Sequence, residues 1–149
     1  KYDELIREGA PLKPGARECL ETLSRLGVPQ ALATSSSQRI ASVKLGYHGL
    51  LAHFSAFVTG DQVTHSKPHP EPYLTAAERL GAAPQRCIAF EDSVNGIRSA
   101  HAAGMYTVLV PDMAIHDEAS MSRVRKQFDS LVEAVPFLEE TFVSNGSNS

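Results

Sequence analysis

Cys87-Ile88-Ala89-Phe90-Glu91-Asp92-Ser93-Val94-Asn95-Gly96-Ile97 is a short apolar run that ends in two carboxylates and leads directly into a helical pattern. Buried parallel strands have continuous apolar sequences, and open α/β sheets bind ligands beyond the carboxyl ends of their strands. Glu91 and Asp92 at such an end are hard oxygen ligands that suit Mg²⁺. In the alternative, Asp92 only caps the following helix and Glu91 is solvated. This segment alone does not separate the two interpretations.

A run of hydroxyl side chains follows another predicted strand. The apolar stretch that ends at Ala33 continues into Thr34, Ser35, Ser36 and Ser37, and a helical pattern comes next. Hydroxyl groups and free backbone N–H groups at a helix N-terminus favour a bound anion. An ordinary helix cap is the commoner role for such residues. The pattern therefore predicts an anion site only if other residues support it.

A lysine between prolines precedes a third helical pattern. In Ser66-Lys67-Pro68-His69-Pro70 the prolines stiffen the loop and fix where the next helix can begin. Lys67 is thereby held in a rigid segment, where its point charge could meet a phosphate. A single lysine in a loop is usually only solvated. The prediction that Lys67 binds phosphate therefore depends on the hydroxyl and acid motifs that accompany it in the sequence.

The order of these motifs resembles the haloacid dehalogenase-like hydrolase superfamily. Thr34 matches its second motif, Lys67 its third, and Glu91 with Asp92 its fourth, over roughly residues 12–111. The phrases around them are similar to the branch that contains small-molecule phosphatases and β-phosphoglucomutase. The resemblance implies an α/β fold, namely a Rossmann-like three-layer core with a parallel sheet.

The same resemblance implies a role for each motif residue. Thr34 and Ser35 would bind phosphoryl oxygens, and Lys67 would neutralise charge during the reaction. Mg²⁺ would be held by Asp92 with support from Glu91, because adjacent residues on a strand point to opposite faces and the end residue is the better direct ligand. From its position three residues beyond Asp92, Asn95 is expected to support the acid loop by a hydrogen bond.

The first motif of the superfamily, Asp-x-Asp-Gly, is absent. No Asp-x-Asp occurs between Lys1 and Ser149, whereas the family uses the first Asp as nucleophile and the second as general acid/base. Residues 1–15 resemble the end of a helical cap and its linker. We therefore expect a fragment whose nucleophile, first strand and most of the cap lie upstream.

That missing first strand would be the central one, between the strands that end at Thr34 and Glu91. Unpaired inner edges are costly. We expect the isolated chain to be marginally stable, to self-associate, or to pair those two strands directly.

Alternating periodicity predicts helices between strands, hence a parallel sheet covered by helices. The core is assigned to residues 16–143 and a disordered polar tail to 144–149. The predicted helices are 16–26, about 40–45, 71–80, 94–103, 118–125 and 130–139, and the predicted strands end near Ala33, Val58, Asp92 and Val110.

Composition excludes several classes of function. The chain has 149 residues, a net charge of −3 and a pI near 6.1, which gives no electrostatic footprint for nucleic acid. No apolar run reaches membrane-spanning length. Cys19 and Cys87 lack metal or redox spacing and are interpreted as reduced, buried thiols. A cytoplasmic location is the default expectation.

The sequence thus predicts the core of a Mg²⁺-dependent phosphohydrolase that acts on a small phosphorylated metabolite, such as a sugar phosphate, through an aspartyl-phosphate. This fragment alone is expected to be inactive. One alternative is a phosphosugar mutase of the β-phosphoglucomutase type, which uses the same core. Another is a non-catalytic binding module that keeps the phosphate cradle.

Overall fold

Helices alternate with parallel strands in the computed structural model, which describes residues 14–34, 37–39, 42, 46, 49–110 and 118–146. The elements in chain order are α1 (Ala16–Arg25), β1 (Ala31–Ala33), β2 (Ala56–Val58), α2 (Glu71–Leu80), β3 (Ile88–Glu91), α3 (Val94–Ala102), β4 (Tyr106–Leu109), α4 (Glu118–Met121), β5 (Lys126–Gln127) and α5 (Leu131–Gly146). Short 3₁₀ turns lie at Leu51–His53, Gly60–Gln62 and Pro84–Arg86. The predicted α/β class is confirmed.

The strands of the described chain form two parallel sheets. β1 pairs with β2 from Ala31 opposite Ala56 to Ala33 opposite Val58. The second sheet has the order β3-β4-β5, with Glu91 of β3 opposite Leu109 of β4. In the parts of the chain that are described, β1 and β3 do not pair with each other. The expected direct pairing of these strands is therefore wrong, while marginal stability and self-association stay predictions.

A cleft of about 760 Å³ lies between the two sheets. Ala31 and Ala33 of β1 line one side, and Ala89 and Phe90 of β3 line the other. The cleft thus coincides with the place that the family resemblance assigns to a central strand.

Helices cover both faces of the strands. Ala89 packs with residues of α2 and α3 in one buried cluster, whereas its neighbour Phe90 packs against a second cluster built by α1 and α5. Adjacent strand residues point to opposite faces, so these two clusters are the two sides of a three-layer arrangement. Because the layers are held by helix packing on each side, the carboxyl ends of β1 and β3 stay at one edge of the molecule.

Local sequence signals explain several helix boundaries. α2 follows Pro70 and ends at Gly81, whose φ of 69° is the left-handed conformation that glycine tolerates best. The prediction of a helix over 71–80 is confirmed. α3 begins after Ser93, whose hydroxyl accepts a hydrogen bond from the Gly96 N–H at 3.1 Å.

Three boundaries differ from the predictions. β5 was not predicted, because two exposed residues carry no readable alternation. The helix predicted over 118–125 ends at Met121. α5 continues to Gly146, so residues 144–146 are helical and do not belong to the predicted disordered tail.

The proposed cap remnant falls largely on residues 1–13, which lie outside the described part of the chain, as do residues 147–149. None of the helices that are described combines the length and apolar composition of a membrane span.

Candidate functional site

Lys67 joins the carboxyl ends of the two sheets. Its Nζ atom donates to the carbonyl oxygen of Ala33 in β1 at 3.2 Å and to Oε2 of Glu91 in β3 at 2.7 Å. Only 11% of the Lys67 side chain is exposed. The stiff loop predicted from the prolines therefore delivers a largely desolvated cation to the edge where the sequence places the anion site.

Glu91 is a buried carboxylate at the end of β3. Its relative exposure is 1%, and Oε2 accepts hydrogen bonds from both Lys67 and the Tyr73 hydroxyl. A Cβ on Gly96 would lie 1.8 Å from Oε1, so only glycine leaves room for this side chain. Burial opposes ionisation, but the charge of Lys67 and the hydrogen bonds from Lys67 and Tyr73 hold the pKa of Glu91 below its ordinary value. Glu91 is therefore an anion in the folded chain.

Tyr73 completes this ion pair and was not singled out in the sequence. The tyrosine is 8% exposed, its hydroxyl meets Glu91, and the Lys67 Nζ lies over its ring at 5.2 Å from the centroid. In the sequence Tyr73 reads as one member of the apolar face of α2. One feature of the sequence could have indicated its role. A tyrosine on the apolar face of a helix carries a hydroxyl group, and a buried tyrosine hydroxyl usually has a hydrogen-bond partner.

The structure contradicts the alternative in which Asp92 only caps the following helix and Glu91 is solvated. Ser93 caps α3, and Glu91 is buried, so both parts of that alternative are wrong. Asp92 is half-buried, with its Oδ2 atom shielded from solvent. The two carboxylates thus differ, because Glu91 is engaged by Lys67 and Tyr73 whereas Asp92 stands beyond the strand end.

This donor set fits Mg²⁺ better than a soft metal. No group of three or more His, Cys, Asp or Glu side chains that could hold a metal occurs among the residues the structure describes. Mg²⁺ commonly uses only one or two protein carboxylates and takes its other ligands from water and phosphate. Asp92 lies directly beyond the end of β3, and the charge of Glu91 is fixed beside it by Lys67 and Tyr73.

The remaining predicted site residues divide into three cases. Thr34 is 5% exposed at the end of β1, where its N–H donates to the Val58 carbonyl. Ser35 lies outside the described residues. Asn95 is exposed in the first turn of α3, and its side chain makes no described hydrogen bond to Asp92 or Lys67. The geometry thus brings Thr34 to the same edge as Lys67, while the supporting role of Asn95 stays a prediction.

A carboxylate already occupies one backbone donor near the hydroxyl run. The Gln38 N–H donates to Asp61, whose Oδ1 also accepts from the Thr59 hydroxyl at 2.5 Å. These hydrogen bonds, that of Thr59 first, lower the pKa of Asp61. The Gln38 N–H is therefore already engaged by a carboxylate of the protein.

The loop that carries Lys67 is fastened to α2 and α3. Glu71 accepts hydrogen bonds from the N–H groups of Thr64 at 2.7 Å and His65 at 3.1 Å, and Ser99 donates to the His69 carbonyl. The rings of His65 and His69 stack with centroids 4.6 Å apart. Stacked rings of this kind do not converge on a shared metal.

Comparisons with known proteins identify the family of this chain. A family model described as haloacid dehalogenase-like hydrolase matches residues 1–104. Hexitol phosphatase B of Escherichia coli O157:H7 is 33% identical over 129 residues, which are 87% of this chain and 58% of that protein. A phosphorylated carbohydrates phosphatase of Thermotoga maritima is 41% identical over 104 residues, covering 70% of this chain and 46% of that protein.

Solved structures give the same result for the fold. A structure described as a "putative beta-phosphoglucomutase" from Thermotoga maritima superposes with a TM-score of 0.79 at 34% identity, covering 87% of this chain and 60% of that one. The chain thus spans about half to three fifths of the length of the relatives it matches. With most of its length matched by the family model, this chain belongs to the haloacid dehalogenase-like hydrolases.

Proposed function

We propose that this chain forms the phosphate-binding and metal-binding core of a Mg²⁺-dependent phosphatase for a small phosphorylated metabolite, such as a sugar phosphate. The observation that carries the proposal is the Lys67 ammonium, largely desolvated at the carboxyl ends of β1 and β3 beside Thr34 and the acid pair. Two relatives are named as phosphatases of hexitols and of phosphorylated carbohydrates, which supports this substrate class.

Each chain residue would contribute to binding or charge stabilisation. The Thr34 hydroxyl and the Ser35 N–H would donate to phosphoryl oxygens, and Lys67 would offset the charge that spreads over those oxygens in the transition state. Lys67 suits this role because its ammonium is already oriented by the Ala33 carbonyl and by Glu91. Such preorganisation avoids rearranging the donor when the charge develops.

Asp92 would hold Mg²⁺, and Glu91 would support it without direct ligation, since the Lys67 and Tyr73 hydrogen bonds already engage its Oε2. When bound, the ion would supply Lewis-acid stabilisation of the phosphoryl group.

The nucleophile is assigned to an aspartate upstream of Lys1, because the chain contains no Asp-x-Asp. This aspartate would attack phosphorus and form an aspartyl-phosphate, which water then hydrolyses. The isolated 149-residue chain would accordingly bind phosphate without turnover.

A sugar-phosphate mutase is the second candidate. It is favoured by the superposition on the structure described as a beta-phosphoglucomutase. Both reactions would use the same core residues, so the reaction products must separate them. Free phosphate from a sugar phosphate indicates a phosphatase, and an isomerised sugar phosphate indicates a mutase.

The test is an assay of the longer gene product with a panel of hexitol and sugar phosphates, with Mg²⁺ or with EDTA. We expect Mg²⁺-dependent release of phosphate. Lys67→Ala should lower the rate on the order of 10²–10³-fold, the usual cost of losing one preorganised donor, and Asp92→Ala should lower it by removing the proposed Mg²⁺ ligand. Lys126→Ala is the matched control, because the Lys126 side chain, in β5, lies over the rings of Phe128 and Phe137, with no described contact to the site. Near-normal turnover in the Lys67 or Asp92 variant would falsify the assigned role.

A further inference from the structure

Tyr73 touches both members of the ion pair at the proposed phosphate site. Its ring lies beneath the Lys67 ammonium at 5.2 Å, and its hydroxyl donates to the same Glu91 oxygen, Oε2, that accepts from Lys67. All three side chains are mostly or fully buried. One aromatic residue therefore fixes a cation and its counter-ion together.

The backbone gives this tyrosine a fixed position relative to Lys67. Tyr73 is the third residue of α2, and the Glu71 side chain of the same helix turn ties down the preceding loop through Thr64 and His65. Lys67 sits inside that loop. Its ammonium and the Tyr73 ring are thus attached to one rigid unit.

We propose that Tyr73 is a positioning residue that sets how strongly Glu91 holds Lys67, and thereby how available the Lys67 ammonium is to a phosphoryl group. This role rests on the proposed function of the site as a phosphate site. The hydroxyl takes up part of the negative charge on Oε2, so Lys67 is paired without being fully neutralised. The ring face supplies a second, weaker attraction that keeps the ammonium at the strand ends.

Two substitutions separate the ring from the hydroxyl. Tyr73→Phe keeps the ring but removes the donor to Glu91, so the full carboxylate charge acts on Lys67 and draws it away from a bound anion. We expect inorganic phosphate to bind about tenfold more weakly, which is the lower end for one hydrogen bond to a charged group. Tyr73→Leu removes both contacts, and Lys67 should lose its fixed position. Tyr106→Phe is the matched control, because Tyr106 stacks on Phe137 instead.

The experiment uses NMR of the 149-residue chain with isotope-labelled lysine. The chain has five lysines, and the spectrum of Lys67→Ala assigns the Lys67 signal. The ε-methylene protons of Lys67 should be shifted upfield by the aromatic ring in the wild-type chain and in Tyr73→Phe. They should return to the ordinary lysine position in Tyr73→Leu and stay unchanged in Tyr106→Phe. Titration of each variant with inorganic phosphate then measures the affinity.

The two readouts distinguish failure of this inference from failure of the proposed function. A Lys67 signal that is the same in the wild type and in Tyr73→Leu overturns the positioning role, whatever the phosphate result. Equal phosphate affinity of Tyr73→Phe and the wild type overturns the proposed effect of the hydroxyl. If the wild type does not bind phosphate, the proposed phosphate site is wrong, and so is the proposed effect of the Tyr73 hydroxyl on phosphate affinity. The Lys67 signal then still decides whether Tyr73 fixes the ammonium.

Discussion

Glu91→Gln should be among the most destabilising isosteric substitutions in this chain. The change keeps the shape that fits against Gly96 but removes the charge that faces the Lys67 ammonium at 2.7 Å. Glu91 is 1% exposed and the Lys67 side chain 11%, so solvent screens this pair weakly. Breaking a buried pair on one side costs about 3–5 kcal/mol.

Urea denaturation followed by circular dichroism measures this free energy of unfolding. Glu139→Gln is the matched control, because Glu139 pairs with Arg25 at 3.4 Å with side-chain exposures of 47% and 61%. An exposed pair of this kind contributes about 0–1 kcal/mol. Equal losses for the two variants would refute the argument, because they would mean that burial does not strengthen the Lys67–Glu91 pair.

The same substitution has a pH signature. Since the folded-state pKa of Glu91 lies below its ordinary value of 4.5, the stabilisation is fully present above about pH 4.5. It is lost as the pH falls towards 2. The difference in unfolding free energy between the wild type and Glu91→Gln should therefore shrink over that interval, and a difference that stays constant would contradict the ion-pair explanation.

Two further predictions concern packing and thiol reactivity. Gly96→Ala should destabilise the chain by about 1–3 kcal/mol, because the new Cβ would meet the Glu91 carboxylate at 1.8 Å. A thermal or urea melt measures this loss. Gly46→Ala is the control in the same melt, because a Cβ there has its nearest contact at 3.5 Å. Iodoacetamide at mildly alkaline pH should modify Cys87 before Cys19, because burial raises the pKa of the fully buried Cys19 thiol to about 12, whereas Cys87 is only partly buried. Mass spectrometry of partly modified protein checks the order, and faster labelling of Cys19 would contradict the described packing.

Signals carried by neighbouring residues made much of the fold predictable. Pro70 and Gly81 fix the bounds of α2, and the apolar run before Glu91 identifies a buried strand. β5 could not be predicted in this way, because its two residues are exposed and take their conformation from pairing with β4. Local sequence patterns thus predict the elements whose conformation is determined by neighbouring residues. They do not predict the elements whose conformation depends on tertiary contacts.

The candidate site was predictable in its motifs and less so in its contacts. Lys67 and Glu91 were assigned to separate tasks, phosphate and metal, because nothing in the sequence indicates that they form an ion pair. That contact depends on how the Lys67 loop meets the end of β3 in space, and the positions of Tyr73 in α2 and Gly96 in α3 beside it depend on the same packing. The family resemblance supplied residue roles, whereas the partners of each side chain came from the three-dimensional arrangement.

Binding of inorganic phosphate to the 149-residue chain, followed by calorimetric titration with and without Mg²⁺, tests the central claim most directly. We predict that the wild type binds phosphate, that Mg²⁺ tightens the binding, and that Lys67→Ala weakens it at least tenfold while Lys126→Ala leaves it unchanged. Equal affinity of the wild type and Lys67→Ala, or no binding by the wild type in the presence of Mg²⁺, would contradict the account.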